Sequence, residues 1–219
     1  MDEREPYTIV PKPPLEKPAR KSQSEIYGFR PPQEDRTFNY ATVELPDKYK
    51  KNVLDGLLKR ASQLSPHPRI VDLGSGPGYA AEYLTELGAQ VISIDVNKEA
   101  IAKAPLGVVA SATLLPLAGG SVDAFHSKDM LSHILTPMRH RLFSEVYKAL
   151  KPGGEFLLTA AETAYLEPFQ YPVLEDATIA QAIREGFTLK SRRGLLLPPA
   201  KDWYWRSSRP RFVLSLIKE

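Results

Sequence analysis

Between Arg69 and Ala160, short apolar segments alternate with segments of helical pattern, and this rhythm constrains the fold more than any other feature. The expected strands are Arg69–Leu73 (RIVDL), Val91–Asp95 (VISID), Gly107–Ala110 (GVVA), Val122–Ser127 (VDAFHS) and Glu155–Ala160 (EFLLTA). Between them, helices are expected over Tyr79–Leu87 with Gly88 as its stop, from the cap Asn97 to Lys103, and from Thr136-Pro137 to Leu150. Proline suits a first helical position because the N–H it lacks would have no partner there. The turn Lys151-Pro152-Gly153-Gly154 leads into the fifth strand. Strands separated by helices of this length form a parallel sheet with right-handed crossovers. An earlier helix is expected from Pro46-Asp47 to Ser65-Pro66, because Val53, Leu54, Leu57, Leu58, Ala61 and Leu64 make one apolar stripe.

After Ala160 the rhythm changes. Glu175–Glu185 reads as a helix, and Phe187–Leu197 and Arg211–Lys218 read as strands with only a loop between them. Without a crossover helix, such strands pair antiparallel. The expected class is therefore α/β, with five parallel strands ending in an antiparallel hairpin.

Composition divides the chain once. Eight of the twenty prolines lie at or before Pro46, in a stretch without periodicity. Proline locks φ and removes a donor, so residues 1–46 are expected to be a proline-rich arm, loose up to about Ser22. Within it, Tyr27, Phe29, Phe38 and Tyr40 offer apolar area, to dock on the domain or to close as a lid. Residues 47–219 are expected to form one domain. The absence of cysteine excludes disulfides, thiolate metal sites and Cys nucleophiles. His67 and His140 have no companion at metal spacing, so no metal is expected. No apolar run approaches the ~20 residues that span a bilayer. The opening MDEREPYTIV is too charged for the apolar core of a secretory signal, so the expectation is a cytoplasmic protein without a membrane partner. A net charge of +3 neither demands nor excludes a nucleic-acid partner.

Function is concentrated in Asp72-Leu73-Gly74-Ser75-Gly76-Pro77-Gly78. Alternate glycines after a strand let the chain turn sharply and let a ligand approach the backbone. The following helix adds unpaired N–H groups and a partial positive charge. Asp95 ends the second strand, twenty-three residues after Asp72, where a carboxylate can accept from both hydroxyls of a ribose. Gly76-x-Gly78-x-x-Ala81 with Asp95 nineteen residues beyond Gly76 also satisfies a dinucleotide fingerprint. Against that, the carboxylate of Asp72 before the loop would repel a pyrophosphate and suits a ligand ammonium better. The antiparallel tail also leaves no second mononucleotide-binding half.

The chain from about Asp47 to Glu219 resembles the class I methyltransferases dependent on S-adenosylmethionine. The resemblance rests on IVDLGSGPG, VISIDVN, SATLLPLAGGSVDAF and ALKPGGEFLLT, four motifs in order. It implies a Rossmann-like seven-stranded sheet, mostly parallel with an antiparallel last strand, and helices on both faces. It implies S-adenosylmethionine as cofactor and S-adenosylhomocysteine as product. Gly74, Ser75, Gly76 and Gly78 would run under the methionine and ribose, Asp95 would hold the ribose hydroxyls, Val96 would pack on adenine, and Asp72 would orient the methionine amino group. Many relatives carry an acid in the third loop, where this chain reads Ala110-Ser111-Ala112-Thr113. Ser111, or the backbone of Ala112 and Thr113, would bind adenine there instead. His126–His133 matches the segment lining the methyl-donor pocket, including Lys128. His126 is expected to point out of a strand face.

Methyl transfer needs positioning and at most one base, for which His133 and Asp129 are the candidates. The resemblance does not name the acceptor. Tyr27, Phe29, Arg36 and Tyr40 of the arm and Tyr165 after the fifth strand suit a small organic acceptor. Lys190, Arg192, Arg193, Lys201, Arg206, Arg209 and Arg211, interleaved with Trp203, Tyr204 and Trp205, leave an RNA acceptor open, although a solvated basic edge around the hairpin is the favoured reading. A nicotinamide-dependent oxidoreductase and a cofactor-binding protein without turnover are the remaining alternatives.

Overall fold

The computed structural model describes residues 45–161, 171–195 and 211–219, which build one seven-stranded sheet of order β3-β2-β1-β4-β5-β7-β6. The strands are β1 (Arg69–Leu73), β2 (Gln90–Asp95), β3 (Gly107–Val109), β4 (Val122–Lys128), β5 (Leu150–Ala161), β6 (Phe187–Leu195) and β7 (Arg211–Lys218). Pairing from β3 through β5 is parallel, and β7 runs antiparallel between β5 and β6. The chain steps outward from β1 to β3 and then returns to the other side of β1 as β4. That reversal leaves a crevice at the C-terminal ends of β1 and β4, because the two crossovers leave on opposite faces.

A helical rod precedes β1: α1 (Asp47–Tyr49) passes through a π turn (Lys50–Leu54) into α2 (Asp55–Ala61). The other helices are α3 (Tyr79–Glu86), α4 (Lys98–Ile101), α5 (Arg139–Ala149) and α6 (Glu175–Arg184). Alternation along the strands separates two cores. Ile70, Ala124 and Leu157 face Tyr49, Leu54 and Leu57 of the rod and Ala80 and Leu84 of α3. Val71, Phe125, Phe156 and Leu158 face Phe143 and Val146 of α5 and Ile179 and Ala182 of α6. Period two on the strands and period 3.6 on the helices account for both layers.

Several boundaries differ from the sequence expectation, each for a local reason. α4 stops at Ile101, although Asn97 caps it as expected, its Oδ1 accepting from the N–H groups of Glu99 and Ala100 at 3.0 Å. β5 begins at Leu150, because the expected turn joins the sheet as an irregular strand start opposite Val122, with a register shift before Ala124. A 3-10 turn (Thr136–Met138) takes the place of the first turn of α5. The rod ends at Ala61, so Leu64 leaves the stripe and is 42% exposed, while Tyr49 joins the core at the other end.

One ion pair ties the rod to the sheet. Arg60 donates to Glu155 through Nε at 2.6 Å and Nη2 at 3.0 Å, and the Ser215 hydroxyl donates to Glu155 Oε1 at 2.5 Å. Glu155 is buried, so losing its cation leaves a desolvated carboxylate with Ser215 as its remaining partner. Arg60→Ala is expected to lower the unfolding free energy in urea by about 2 kcal/mol, a change below about 0.5 kcal/mol contradicting this.

Candidate functional site

The glycine loop hangs from the end of β2. Gly74 and Ser75 donate their N–H groups to the Ile94 carbonyl at 2.8 and 3.3 Å. Gly74, Gly76 and Gly78 all have positive φ, of 70°, 53° and 85°. At Gly78 an added Cβ would lie 2.7 Å from the Ala104 Cβ, and at Gly74 it would collide with the Met130 side chain. The loop is thus packed on one side by Met130, from the segment after β4.

Asp95 closes β2 beside this loop. Gly76 N–H donates to its Oδ2 and Asn97 N–H to its Oδ1, both at 2.8 Å. Burial pushes its carboxyl above the usual carboxylate range, and these N–H bonds recover only part of that. The Val96 N–H also contributes to this carboxylate, whose acceptor sites, about four, are still not filled by the three backbone groups. Val96, half-buried, follows directly. The loop after β3 reaches the same strand end, since Ala110 N–H donates to the Asp95 carbonyl at 3.0 Å. There Ser111 Oγ lies 2.9 Å from Thr113 Oγ1 and accepts from the Thr113 N–H at 3.2 Å, so it closes its own turn around Ala112.

The ends of β1 and β4 carry a buried polar chain. Asp72 Oδ1 lies 2.7 Å from His126 Nδ1, His126 Nε2 lies 2.8 Å from the Tyr49 hydroxyl, and that hydroxyl lies 3.1 Å from Thr159 Oγ1. His126 was expected to point outward; it is instead enclosed, because β4 is the centre of a sheet covered on both faces. Beyond it, Lys128 Nζ donates to Asp129 Oδ2 at 2.9 Å, and Arg211 Nε donates to both Asp129 oxygens at 3.3 Å. Asp129 has φ 56°, a left-handed conformation that aspartate tolerates and that turns the chain out of β4. Burial raises its carboxyl, but Lys128 and Arg211 outweigh that and hold it below the usual range. Burial also lowers the Lys128 ammonium, against the pull of Asp129.

A 3-10 turn (Leu131–His133) follows and presents His133, half-buried. Burial depresses its imidazole, partly countered by the Asp129 charge. Tyr171 N–H donates to the Ser132 carbonyl at 2.7 Å, and buried Arg139 donates to the carbonyls of Pro172 at 2.7 Å and Ile134 at 3.3 Å. Arg139 therefore fastens the segment leading to α6 against the His133 turn. Burial lowers its guanidinium to about 10.

The structure thus brings Asp72, the glycine loop, Asp95, Val96, Ser111–Thr113, Lys128, Asp129 and His133 to one edge of the sheet. Tyr27, Phe29, Arg36, Tyr40 and Tyr165 lie outside the described residues, as do Lys201, Trp203, Tyr204, Trp205, Arg206 and Arg209. Arg211 does not belong to a solvated basic edge: it is turned inward onto Asp129, because β7 lies between two strands. Arg192 pairs with Asp176 at 3.2 Å, and Arg193 donates to the Asn52 carbonyl at 2.9 Å. Tyr49, Thr159, Arg139 and Arg211 were missed as site residues. Tyr49 had one signal, since it extends the stripe of Val53 and Leu57 at four-residue spacing. Among the described residues no group of three side chains could hold a metal, and no helix is long and apolar enough to cross a membrane.

Residues 71–158 match the family model described as a methyltransferase domain. An uncharacterized methyltransferase of Mycobacterium sp. (strain KMS) is 32% identical over 120 residues, covering 52% of this chain and 46% of that protein. Phosphoethanolamine N-methyltransferase 2 of Caenorhabditis elegans is 27% identical over 189 residues, covering 80% of this chain and 41% of the relative. The chain therefore spans less than half the length of these two relatives. Among solved structures, a SAM-dependent methyltransferase from Methanosarcina mazei superimposes with a TM-score of 0.64 at 19% identity, over 80% of this chain and 99% of that one. That likeness concerns the fold.

Proposed function

Since the chain carries a methyltransferase domain of the Rossmann-like class I superfamily, we propose that its crevice binds S-adenosylmethionine and that it transfers the methyl group to a small-molecule acceptor. The observation that carries this reading is Asp95, half-buried at a strand end, with its carboxyl raised by burial because the backbone N–H groups beside it, of Gly76, Val96 and Asn97, recover only part of the lost hydration. A ribose diol supplies two O–H donors of the kind such a carboxylate takes. The ligand-facing loop is made of glycines in left-handed geometry, as close approach of a ligand to backbone requires.

In this reading Asp95 binds the ribose hydroxyls, Val96 lies against adenine, and Ser111 to Thr113 offer backbone groups to its edge, since the Ser111 hydroxyl already serves its own turn. Asp72 receives the ammonium of the methionine portion. Bound there, S-adenosylmethionine would supply an activated methyl, which an acceptor lone pair would take in line as the carbon–sulfur bond breaks and S-adenosylhomocysteine leaves. His133 takes the acceptor proton: burial depresses its imidazole and so favours the neutral, basic form. Asp129 was the other candidate, but a carboxylate held low by two cations is a weak base. Its role is to anchor Lys128 and Arg211 beside the acceptor. The arm formed by residues 1–46 and Tyr165 supply acceptor-facing surface in this proposal, and the domain proper is 47–219.

Isothermal titration with S-adenosylhomocysteine tests the cofactor reading; a folded protein that gives no binding ends it. Acceptors are then screened by S-adenosylhomocysteine release, with phosphoethanolamine tried first because the Caenorhabditis elegans relative bears that name. With the acceptor so found, His133→Asn is expected to lower kcat about a hundredfold while leaving cofactor affinity unchanged. The wild-type kcat should lose its base only below the ordinary histidine value of about 6.5, since burial moves the imidazole downward. An acid limb centred above about pH 7 would remove His133 from the role.

A further inference from the structure

The buried chain Thr159–Tyr49–His126–Asp72 has a direction. An ionised Asp72 can only accept, so His126 Nδ1–H donates to its Oδ1. With the single ring proton on Nδ1, Nε2 accepts from the Tyr49 O–H, and the Tyr49 oxygen accepts from Thr159. Burial pushes the Tyr49 phenol far above its ordinary range, so it stays protonated and available as that donor. Asp72 and His126 are register partners on adjacent strands, and both are buried. Among the described residues no hydrogen bond is made to Asp72 Oδ2. Tyr49 reaches this layer from the rod, where the π turn that follows it stacks residues five apart and sets Tyr49 and Leu54 on the sheet. The Tyr49 ring also meets the His126 ring edge-on at 5.9 Å, and Lys128 Nζ lies 5.9 Å from the Tyr49 ring centre.

We infer that His126 is a positioning residue for the cofactor's ammonium: it clamps Asp72 by Oδ1 and so fixes Oδ2 as the oxygen that receives the ammonium, while Tyr49 fixes the imidazole tautomer. This rests on the reading of Asp72 as the ammonium's partner. It goes further by making the helical rod before β1, through Tyr49, a part of the cofactor site. A glycine-loop acid without such a clamp would lose side-chain entropy on binding that this one has already lost.

The test compares two ligands by titration calorimetry. S-adenosylhomocysteine carries the amino-acid end, and 5′-methylthioadenosine has the same nucleoside without it. Wild-type protein is expected to bind the first more tightly. His126→Leu is expected to weaken S-adenosylhomocysteine roughly tenfold or more and to leave 5′-methylthioadenosine within about threefold. His126→Asn, whose amide N–H can still reach Asp72, is expected to keep both affinities within about threefold. Equal loss of both ligands in a folded His126→Leu variant, or no loss of either, overturns the inference. Should His126→Leu not fold, Tyr49→Phe decides: selective weakening of S-adenosylhomocysteine by about threefold or more supports the clamp, and parallel or absent change overturns it. Wild-type protein that binds neither ligand overturns the cofactor reading itself. Wild-type binding of both with equal affinity overturns the role of Asp72.

Discussion

Asp95→Ala is expected to weaken S-adenosylhomocysteine binding by roughly 10²–10⁴-fold, because two hydrogen bonds to a charged acceptor are worth ~1.5–3 kcal/mol each. The same carboxylate holds the Gly76 and Asn97 N–H groups at 2.8 Å, so its loss also frees the glycine loop. Stability should change little. Burial raises the folded-state carboxyl of Asp95, so the folded protein holds that proton more tightly than the unfolded chain. Its contribution favours folding below the unfolded value and is lost as pH rises through the raised one. At pH 7 the ionised group therefore costs stability relative to its protonated form, which offsets part of what Asp95→Ala loses with the Gly76 and Asn97 bonds, so the variant is expected to melt within ~3 °C of wild type. Calorimetric titration beside a thermal melt measures both. A folded variant whose affinity changes less than about tenfold would remove Asp95 from the ribose site.

Phe156→Ala carries the largest expected cost in stability, about 3–5 kcal/mol. Phe156 is 0% exposed on β5, which lies between β4 and β7. Its ring centre lies 6.2 Å from Phe125, 6.1 Å from Phe143 and 6.3 Å from Phe187, so one ring joins β4, α5 and β6. Truncation leaves a cavity that three rings on separate elements cannot close together. Urea unfolding should show the loss, with a fall in Tm of roughly 10 °C. A loss below about 1 kcal/mol would mean that the α5 layer repacks freely. Because this layer lies across the sheet from Asp72 and His126, a folded Phe156→Leu protein should retain cofactor affinity.

The parallel sheet and its antiparallel last pair were legible because each strand is a short apolar run, and only the last two lack a helix between them. Asp95 and the glycines were legible for a related reason: they sit where a strand must end and a chain must turn sharply, and those constraints are local. Errors collected where local rules compete. Lys151–Gly154 has turn composition, yet its backbone bonds into the sheet edge opposite Val122. Leu64 completes a periodic stripe on paper but falls beyond the end of the rod.

His126 and Arg211 escaped for a different reason. A histidine in VDAFHS and an arginine opening RFVLSLIK look alike whether they face solvent or a partner. Their partners lie far along the chain, 54 residues away for Asp72 and His126, 77 for Tyr49 and His126, and 82 for Asp129 and Arg211.

Sequence alone determined the order of strands and helices, the sharp glycine turn and the acid ending the second strand, since each depends on backbone geometry within a few residues. Only the tertiary structure decided which polar side chains are enclosed and what they hold. Burial and charge pairing are set by strand neighbours that the sheet brings together, and a buried polar group is tolerated only where that neighbour completes its hydrogen bonds.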